Sequence, residues 1–258
     1  MKIEGKVVVI TGGASGLGMA TAIHLVEQRG ARVAIFDVNE VAGQALVARL
    51  GPDKAVFART DVTDEASVQT AVDSTIEALG AIHVCINCAA IGSPVKVLGK
   101  DHKATPLARF AQVTAVNLVG VFNVMSKCVE QMVKNPPESN EERGVVINIS
   151  SGAAYDAQIG QMAYAATKAG VIGLNSPAAR ELGALGVRVN AIAPGLFNTP
   201  LLQTLDEQIV ASLLAQIEAP KRFGEMAEFA HCCDFLIENA YVNGETIRLD
   251  AASRLRAR

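Results

Sequence analysis

A doubly wound α/β fold, one parallel sheet of about seven strands with helices on both faces, is predicted for this chain by three observations. Apolar runs of strand length alternate with longer amphipathic stretches along all 258 residues. The apolar half of the composition is aliphatic: aromatic residues make up 4% and tryptophan is absent. Strands buried on both faces use such Val, Ile, Leu and Ala runs. A glycine-rich turn, Thr11 to Gly18, joins the first strand to the first helix and opens a βαβ unit.

The first strand, Lys6–Ile10, feeds a helix from about Gly16 to Arg29, and Arg32–Asp37 returns as the second strand. A helix near Val41–Leu50, a strand Ala55–Arg59, a helix Glu65–Leu79 and a strand Ala81–Asn87 continue the rhythm. A long helix near Leu107–Met132 precedes the strand Val145–Ser150. The helix Tyr164–Gly183 contains Pro177, expected to bend only its far end, and leads to the strand Val187–Ile192. Glu245–Leu249 is the last strand. Residues 92–106 and 135–144 are rich in turn formers and charge, so exposed loops are expected there. Residues 196–220 carry Leu201, Leu202, Leu205, Ile209, Leu213, Leu214 and Ile217 at amphipathic helical spacing. That helix is either core packing or a lid over an apolar substrate. No linker interrupts the rhythm, so residues 1–258 are expected to form a single domain.

The net charge of −3 provides no global attraction to nucleic acid or to an anionic membrane, and neither partner is expected. The first ten residues run directly into a strand, and no uninterrupted apolar stretch of membrane-spanning length stands out, so a cytoplasmic protein is expected. The five cysteines, Cys85, Cys88, Cys128, Cys232 and Cys233, do not form a disulfide framework. Cys85 and Cys88 make a C-x-x-C at the end of an apolar strand without a second ligand pair, and read as small buried residues. The histidines at 24, 83, 102 and 231 have no ligand spacing, and no metal is expected.

The turn Thr11-Gly12-Gly13-Ala14-Ser15-Gly16-Leu17-Gly18 lacks side chains where a pyrophosphate would approach the backbone, and it delivers the N–H groups of a helix start. Gly12, Ser15, Gly16, Leu17 and Gly18 are the residues assigned to that contact. Asp37 ends the second strand, where a carboxylate accepts hydrogen bonds from the adenosine ribose. It would repel the extra phosphate of NADP, and Ala14, Ser15 and Val38 supply no cation to offset it, so NAD is the expected cofactor. The alternative for Asp37 is a cap on the following helix. Asp61 and Val62 follow the third strand and suit the adenine amino group and ring; Asp61 suits a helix cap equally well.

Tyr164 and Lys168, at i and i+4 in a helical stretch, share one face, so the ammonium can act on the phenol. Free tyrosine titrates at about 10, and a neighbouring cation together with the positive nicotinamide ring is expected to lower that value into the range of a working acid–base. Ser151, thirteen residues earlier at the C-terminal end of a strand, can hold a substrate oxygen against Tyr164.

These residues together resemble the short-chain dehydrogenase/reductase family over essentially the whole chain, and the resemblance implies a Rossmann-type fold. It is carried by T-G-x-x-x-G-x-G at Thr11–Gly18, Asp61, N-C-A-A at Asn87–Ala90, Asn117, Ser151, Y-A-A-T-K at Tyr164–Lys168, and P-G at Pro194–Gly195. The resemblance implies that Ser151, Tyr164 and Lys168 are catalytic. It implies that Asn117 kinks its helix and anchors a water relay from Lys168. Asn87, Ala89, Pro194, Gly195, Phe197 and Thr199 would then border the cofactor, Thr199 at the nicotinamide carboxamide. Segments 144–148, 193–202 and 243–250 are similar to the type II 3-hydroxyacyl-CoA dehydrogenase subgroup. That similarity implies a 3-hydroxyacyl-CoA substrate, with Gln158 on the substrate side, and a homo-oligomer, commonly a tetramer. Lys96, Lys100, His102 and Lys103 are candidate cations for coenzyme A phosphates; a solvated loop is the alternative. Ala90 and Ala251 depart from the family, which has glycine at both positions.

The expected reaction interconverts a secondary alcohol and a ketone, with Tyr164 removing the hydroxyl proton. A hydroxysteroid or other alcohol dehydrogenase is the enzymatic alternative. A nucleotide-binding scaffold without turnover is the non-enzymatic one, and the intact Ser151, Tyr164 and Lys168 argue against it.

Overall fold

A computed structural model describes residues 1–199, 202 and 206–257. Seven strands form one all-parallel sheet: β1 (Val7–Thr11), β2 (Arg32–Asp37), β3 (Ala55–Arg59), β4 (Val84–Asn87), β5 (Gly144–Ile149), β6 (Val187–Pro194) and β7 (Thr246–Leu249). Their spatial order is β3-β2-β1-β4-β5-β6-β7. The chain builds outward from β1 to β3, then returns to lay β4 on the other side of β1. Ligands of such sheets bind beyond the carboxyl ends of the strands at that reversal. Here the register pairs Thr11 with Asn87, the last residues of β1 and β4.

Alternate side chains of each strand feed two apolar layers. Val8 and Ile10 of β1 and Val33 and Ile35 of β2 point into one, with Leu25 of α1 (Gly16–Glu27) and Leu46 of α2 (Glu40–Leu50). Val7, Val9, Ala34 and Phe36 point into the other, with Val68 and Val72 of α3 (Glu65–Leu79). The remaining helices are α4 (Leu107–Thr114), α5 (Gly120–Met132), α6 (Met162–Leu182), α7 (Glu207–Leu214) and α8 (Met226–Glu238). Val124 and Met132 of α5 join the second layer.

Four expectations are corrected. The long helix Leu107–Met132 is α4 and α5 joined by one π turn, Ala115–Val119, centred on Asn117. That 26-residue run is, by length and composition, long and apolar enough to cross a membrane; in the protein, Val113, Val121, Val124 and Met132 are buried within the fold. Among the described residues, the amphipathic helix expected across 196–220 is seen as the eight residues of α7. Leu201 and Leu205 lie outside the described residues, and Ile217 is buried beyond the helix end.

The exposed-loop reading fails in part for both loops. Val95 is buried against Val113 and Ala163. Asn135 and Glu142 are also buried, because Asn135 donates to the carbonyls of Ile82 and Arg143, and Glu142 accepts from Arg188 Nε at 2.6 Å. Helix α8 was not anticipated; it opens with a capping box between Glu225 and Glu228 and buries Phe229, Cys233, Leu236 and Ile237. It supplies the crossover from β6 to β7.

Ala251, where the family has glycine, adopts a left-handed backbone with φ 48°, followed by Ala252 at φ 56°. Such a conformation costs a residue with a Cβ about 1–2 kcal/mol, part of which glycine loses again to unfolded-chain entropy. Ala251→Gly is therefore expected to raise stability by about 0.5–1 kcal/mol and the Tm by roughly 2 °C. Calorimetry checks this, and a lowered Tm contradicts strain at Ala251.

Candidate active site

The glycine turn is built for close backbone approach. A Cβ on Gly12 would stand 3.0 Å from the Ala89 backbone, and one on Gly18 would stand 2.4 Å from the Gly12 carbonyl oxygen. Gly12 and Gly16 both have positive φ, 62° and 50°. Ser15 precedes α1 without a side-chain cap, so the first N–H groups of that helix are not consumed by a capping oxygen. Asp37 Oδ2 accepts the Ala14 N–H at 3.0 Å, tying the end of β2 to the turn. The cap of α2 is Asn39, which accepts from the Ala42 N–H, so Asp37 is not that helix's cap. Free helix N–H groups, a Cβ-free cradle and a half-buried carboxylate fit a dinucleotide.

Asp61 does not cap α3 either: Asp64 does, accepting from Ala66 and Ser67. The Asp61 carboxylate accepts from the Thr63 hydroxyl and N–H, which hold it below the usual carboxylate range. Val62 is buried, packed over Gly120 of α5. Asn87, at the end of β4, donates to Asn148 Oδ1 at 2.9 Å, and the Ala89 N–H donates to Thr11 Oγ1 at 3.0 Å. Asn117 clasps Ile91 at both ends, accepting its N–H at 2.8 Å and donating to its carbonyl at 2.9 Å.

Ser151, Tyr164 and Lys168 converge beyond the end of β5. Burial pushes the Tyr164 phenol up, above the ordinary tyrosine range, and the Ser151 hydroxyl beside it draws the value partly back down. This corrects the expected lowering: Lys168 lies 5.7 Å from the ring centroid, and its ammonium donates to the Ile149 carbonyl at 2.6 Å. Burial also pulls Lys168 down to about 8. Ser150 was not singled out in the sequence; its hydroxyl donates to the Lys168 carbonyl at 2.7 Å and fixes α6 against β5.

A cavity of about 690 Å³ opens beside the phenol, a volume suited to a small organic ligand. Ser151, Gln158, Tyr164, Lys168, Pro194, Gly195, Phe197 and Thr199 line it, as do Leu17 of the glycine turn and Leu202 and Leu213 of the lid region. Phe197 is braced edge-to-face by Phe229 of α8, with ring centroids 6.2 Å apart. Gly195 carries no Cβ because one would stand 2.7 Å from Asp250.

Lys96, Lys100, His102 and Lys103 are exposed and do not line this cavity; Gly92, Ser93 and Pro94 of the same loop do. Cys88, Ser253 and Leu255 also line it and were not anticipated. Cys88 is held as an inert thiol, its pKa pushed up to about 12 by burial. Cys85 is fully buried, as expected, whereas Cys88, expected to be buried with it, is only partly so; Cys128 is also buried.

The short chain dehydrogenase family matches residues 6–210. Human 3-hydroxyacyl-CoA dehydrogenase type-2 is 45% identical over 254 residues, covering 98% of this chain and 97% of that protein. Its Drosophila melanogaster namesake is 42% identical, covering 98% and 99%. The crystal structure of 3-hydroxyacyl-CoA dehydrogenase type-2 from Mycobacterium avium superposes with a TM-score of 0.93 at 37% identity, covering 100% of both chains. The chain belongs to the short-chain dehydrogenase family, enzymes that exchange hydride between a secondary alcohol and a nicotinamide cofactor.

Proposed function

We propose that this enzyme uses NAD to interconvert 3-hydroxyacyl-CoA and 3-oxoacyl-CoA. The observation that carries the reading is the convergence of Ser151, Tyr164 and Lys168 on one largely apolar cavity at the carboxyl ends of β4, β5 and β6. Ser151 and Tyr164 hold the substrate hydroxyl, and Tyr164 accepts its proton as the carbon–hydrogen bond breaks. When bound, the nicotinamide supplies the hydride acceptor. In the reductive direction the raised pKa of Tyr164 keeps the phenol protonated at neutral pH, ready to donate to the carbonyl oxygen. In the oxidative direction the positive charge of the oxidised cofactor, when bound, would favour the phenolate. Asn117 grips Ile91 at the π turn beside α6, and a water bound at that turn would carry the proton from Lys168 to solvent.

The Asp37 carboxylate supports NAD over NADP. Asp37→Ser is expected to raise the kcat/KM for NADP relative to NAD about 100-fold, by removing charge repulsion against the added phosphate. Steady-state rates with both cofactors check this, and an unchanged ratio contradicts the role of Asp37.

The acyl-CoA assignment is supported by the apolar walls at Leu202 and Leu213 and by the names of the relatives. Exposed Lys96, Lys100 and Lys103 suit an anionic carrier outside the cavity. A homotetramer is proposed on the family likeness and on the apolar face Leu107, Val119 and Phe122 of the α4–α5 run, each more than half exposed. Five free thiols suit a reducing, cytoplasmic setting. The substrate test follows NADH absorbance with a 3-hydroxyacyl-CoA, its free acid and a hydroxysteroid. Thioester kcat/KM far above the other two is expected; turnover of the steroid or free acid alone overturns the acyl-CoA assignment.

A further inference from the structure

Residues 253–258 carry three arginines, Arg254, Arg256 and Arg258, the last of which lies outside the described residues. The tail runs across the substrate cavity. Ser253, only 4% exposed, and Leu255 form part of its wall. Two hydrogen bonds fix the residues that follow Leu255. The Ile159 N–H donates to the Ala257 carbonyl at 3.1 Å, and the Arg256 N–H donates to Gln216 Oε1 at 2.8 Å. Ile159 belongs to the loop between Ser151 and Tyr164, and Gln216, itself buried, follows α7; Ile159 and Leu213 line the same cavity. The start of the tail is anchored by Arg248 and Arg254, which both pair with Asp250 and Asp156.

We infer that residues 253–257 are a specificity element, with Leu255 setting how long a chain the substrate cavity accepts. Leu255 shares the cavity lining with Ile159 of the catalytic loop and Leu213 of the lid helix. A leucine there fills space that additional methylenes of a substrate would occupy, and one methylene in an apolar pocket changes kcat/KM by about 10–200-fold. Arg254 and Arg256 hold the segment through salt bridges and backbone bonds, so the depth of the cavity is fixed before substrate enters. The inference rests on the dehydrogenase reading of the cavity, not on the thioester.

The test uses the full chain with NAD and two homologous series, 3-hydroxyacyl-CoA thioesters and 2-alkanols, each from short to long. Leu255→Ala is expected to raise the long-to-short ratio of kcat/KM about tenfold, and Leu255→Phe to lower it by a similar factor. Leu255→Met, close in volume, is expected to restore the wild-type ratio. The KM for NAD and the thermal midpoint should stay unchanged in all three. If neither Ala nor Phe alters the ratio, or both depress every chain length equally, the tail is a structural strut and the inference is wrong. Should the thioesters not be turned over, the alkanols read the same ratio, so failure of the acyl-CoA assignment is separable from failure of this one.

Discussion

Tyr164→Phe is expected to lower kcat about a thousandfold while leaving the Kd for NADH within a factor of about two, since positioned acid–base groups contribute roughly 10²–10⁴. The phenol oxygen is the one atom removed, and its partner in the site is the Ser151 hydroxyl. Ser151 also accepts the Ala153 N–H at 3.1 Å, so it keeps a hydrogen bond and its position when the phenol is lost. Stopped-flow turnover together with fluorescence titration of NADH separates the two effects. Full activity in Tyr164→Phe contradicts the assignment of Tyr164 as the proton acceptor.

Lys168→Met is expected to abolish most activity, by about two to three orders of magnitude, and at the same time to stabilise the fold. The sign follows from burial. Lys168 is held at about 8 in the protein against an ordinary 10.5. Below pH 8 both the folded and unfolded chains carry the proton, and the buried ammonium costs folding about 3 kcal/mol. Between pH 8 and 10.5 the folded chain has released the proton and the unfolded chain has not, so stability climbs with pH. Methionine removes the cost but also the bond to the Ile149 carbonyl. A net gain of about 2 kcal/mol at pH 7, or about 5 °C in Tm, is expected, shrinking toward pH 10.5. Calorimetry at the two pH values checks it; a Lys168→Met protein that is less stable at pH 7 shows that the carbonyl bond outweighs the desolvation.

Features of the site set by short-range spacing were readable in the chain. The strand–turn–helix at Thr11–Gly18, the carboxylate of Asp37 and the i, i+4 pair Tyr164 and Lys168 each depend on residues within one element or one turn. Features set by distant contacts were not. Ser150 and the Ile149 carbonyl matter because β5 lies against α6, and neither residue carries a motif. The raised pKa of Tyr164 reflects a dry pocket assembled from several elements, so the local argument from Lys168 gave the opposite direction.

Glu142 lies in a stretch of turn formers and charge, yet a partner 46 residues away, Arg188, makes it a buried ion pair. The π turn at Asn117 is invisible to a 3.6-residue period, because the helix continues on both sides of it. Helix α8 was overlooked although Glu225 and Glu228 carry the spacing of a capping box; glutamate in place of the usual hydroxyl or Asp residue weakened that signal. Ser253 and Leu255 enter the cavity wall only because the chain end folds back between two loops.

The proposed chemistry is direct hydride transfer from a secondary carbinol carbon to the nicotinamide ring, with the proton leaving through Tyr164. The measurement that tests it most directly is turnover of a 3-hydroxyacyl-CoA carrying deuterium on C3, followed by mass spectrometry of the reduced cofactor. Near-complete retention of the label on one face of the reduced ring is the predicted result. Reduced cofactor without deuterium, with the label found in water, would show that the hydrogen leaves the carbon as a proton and would contradict the account.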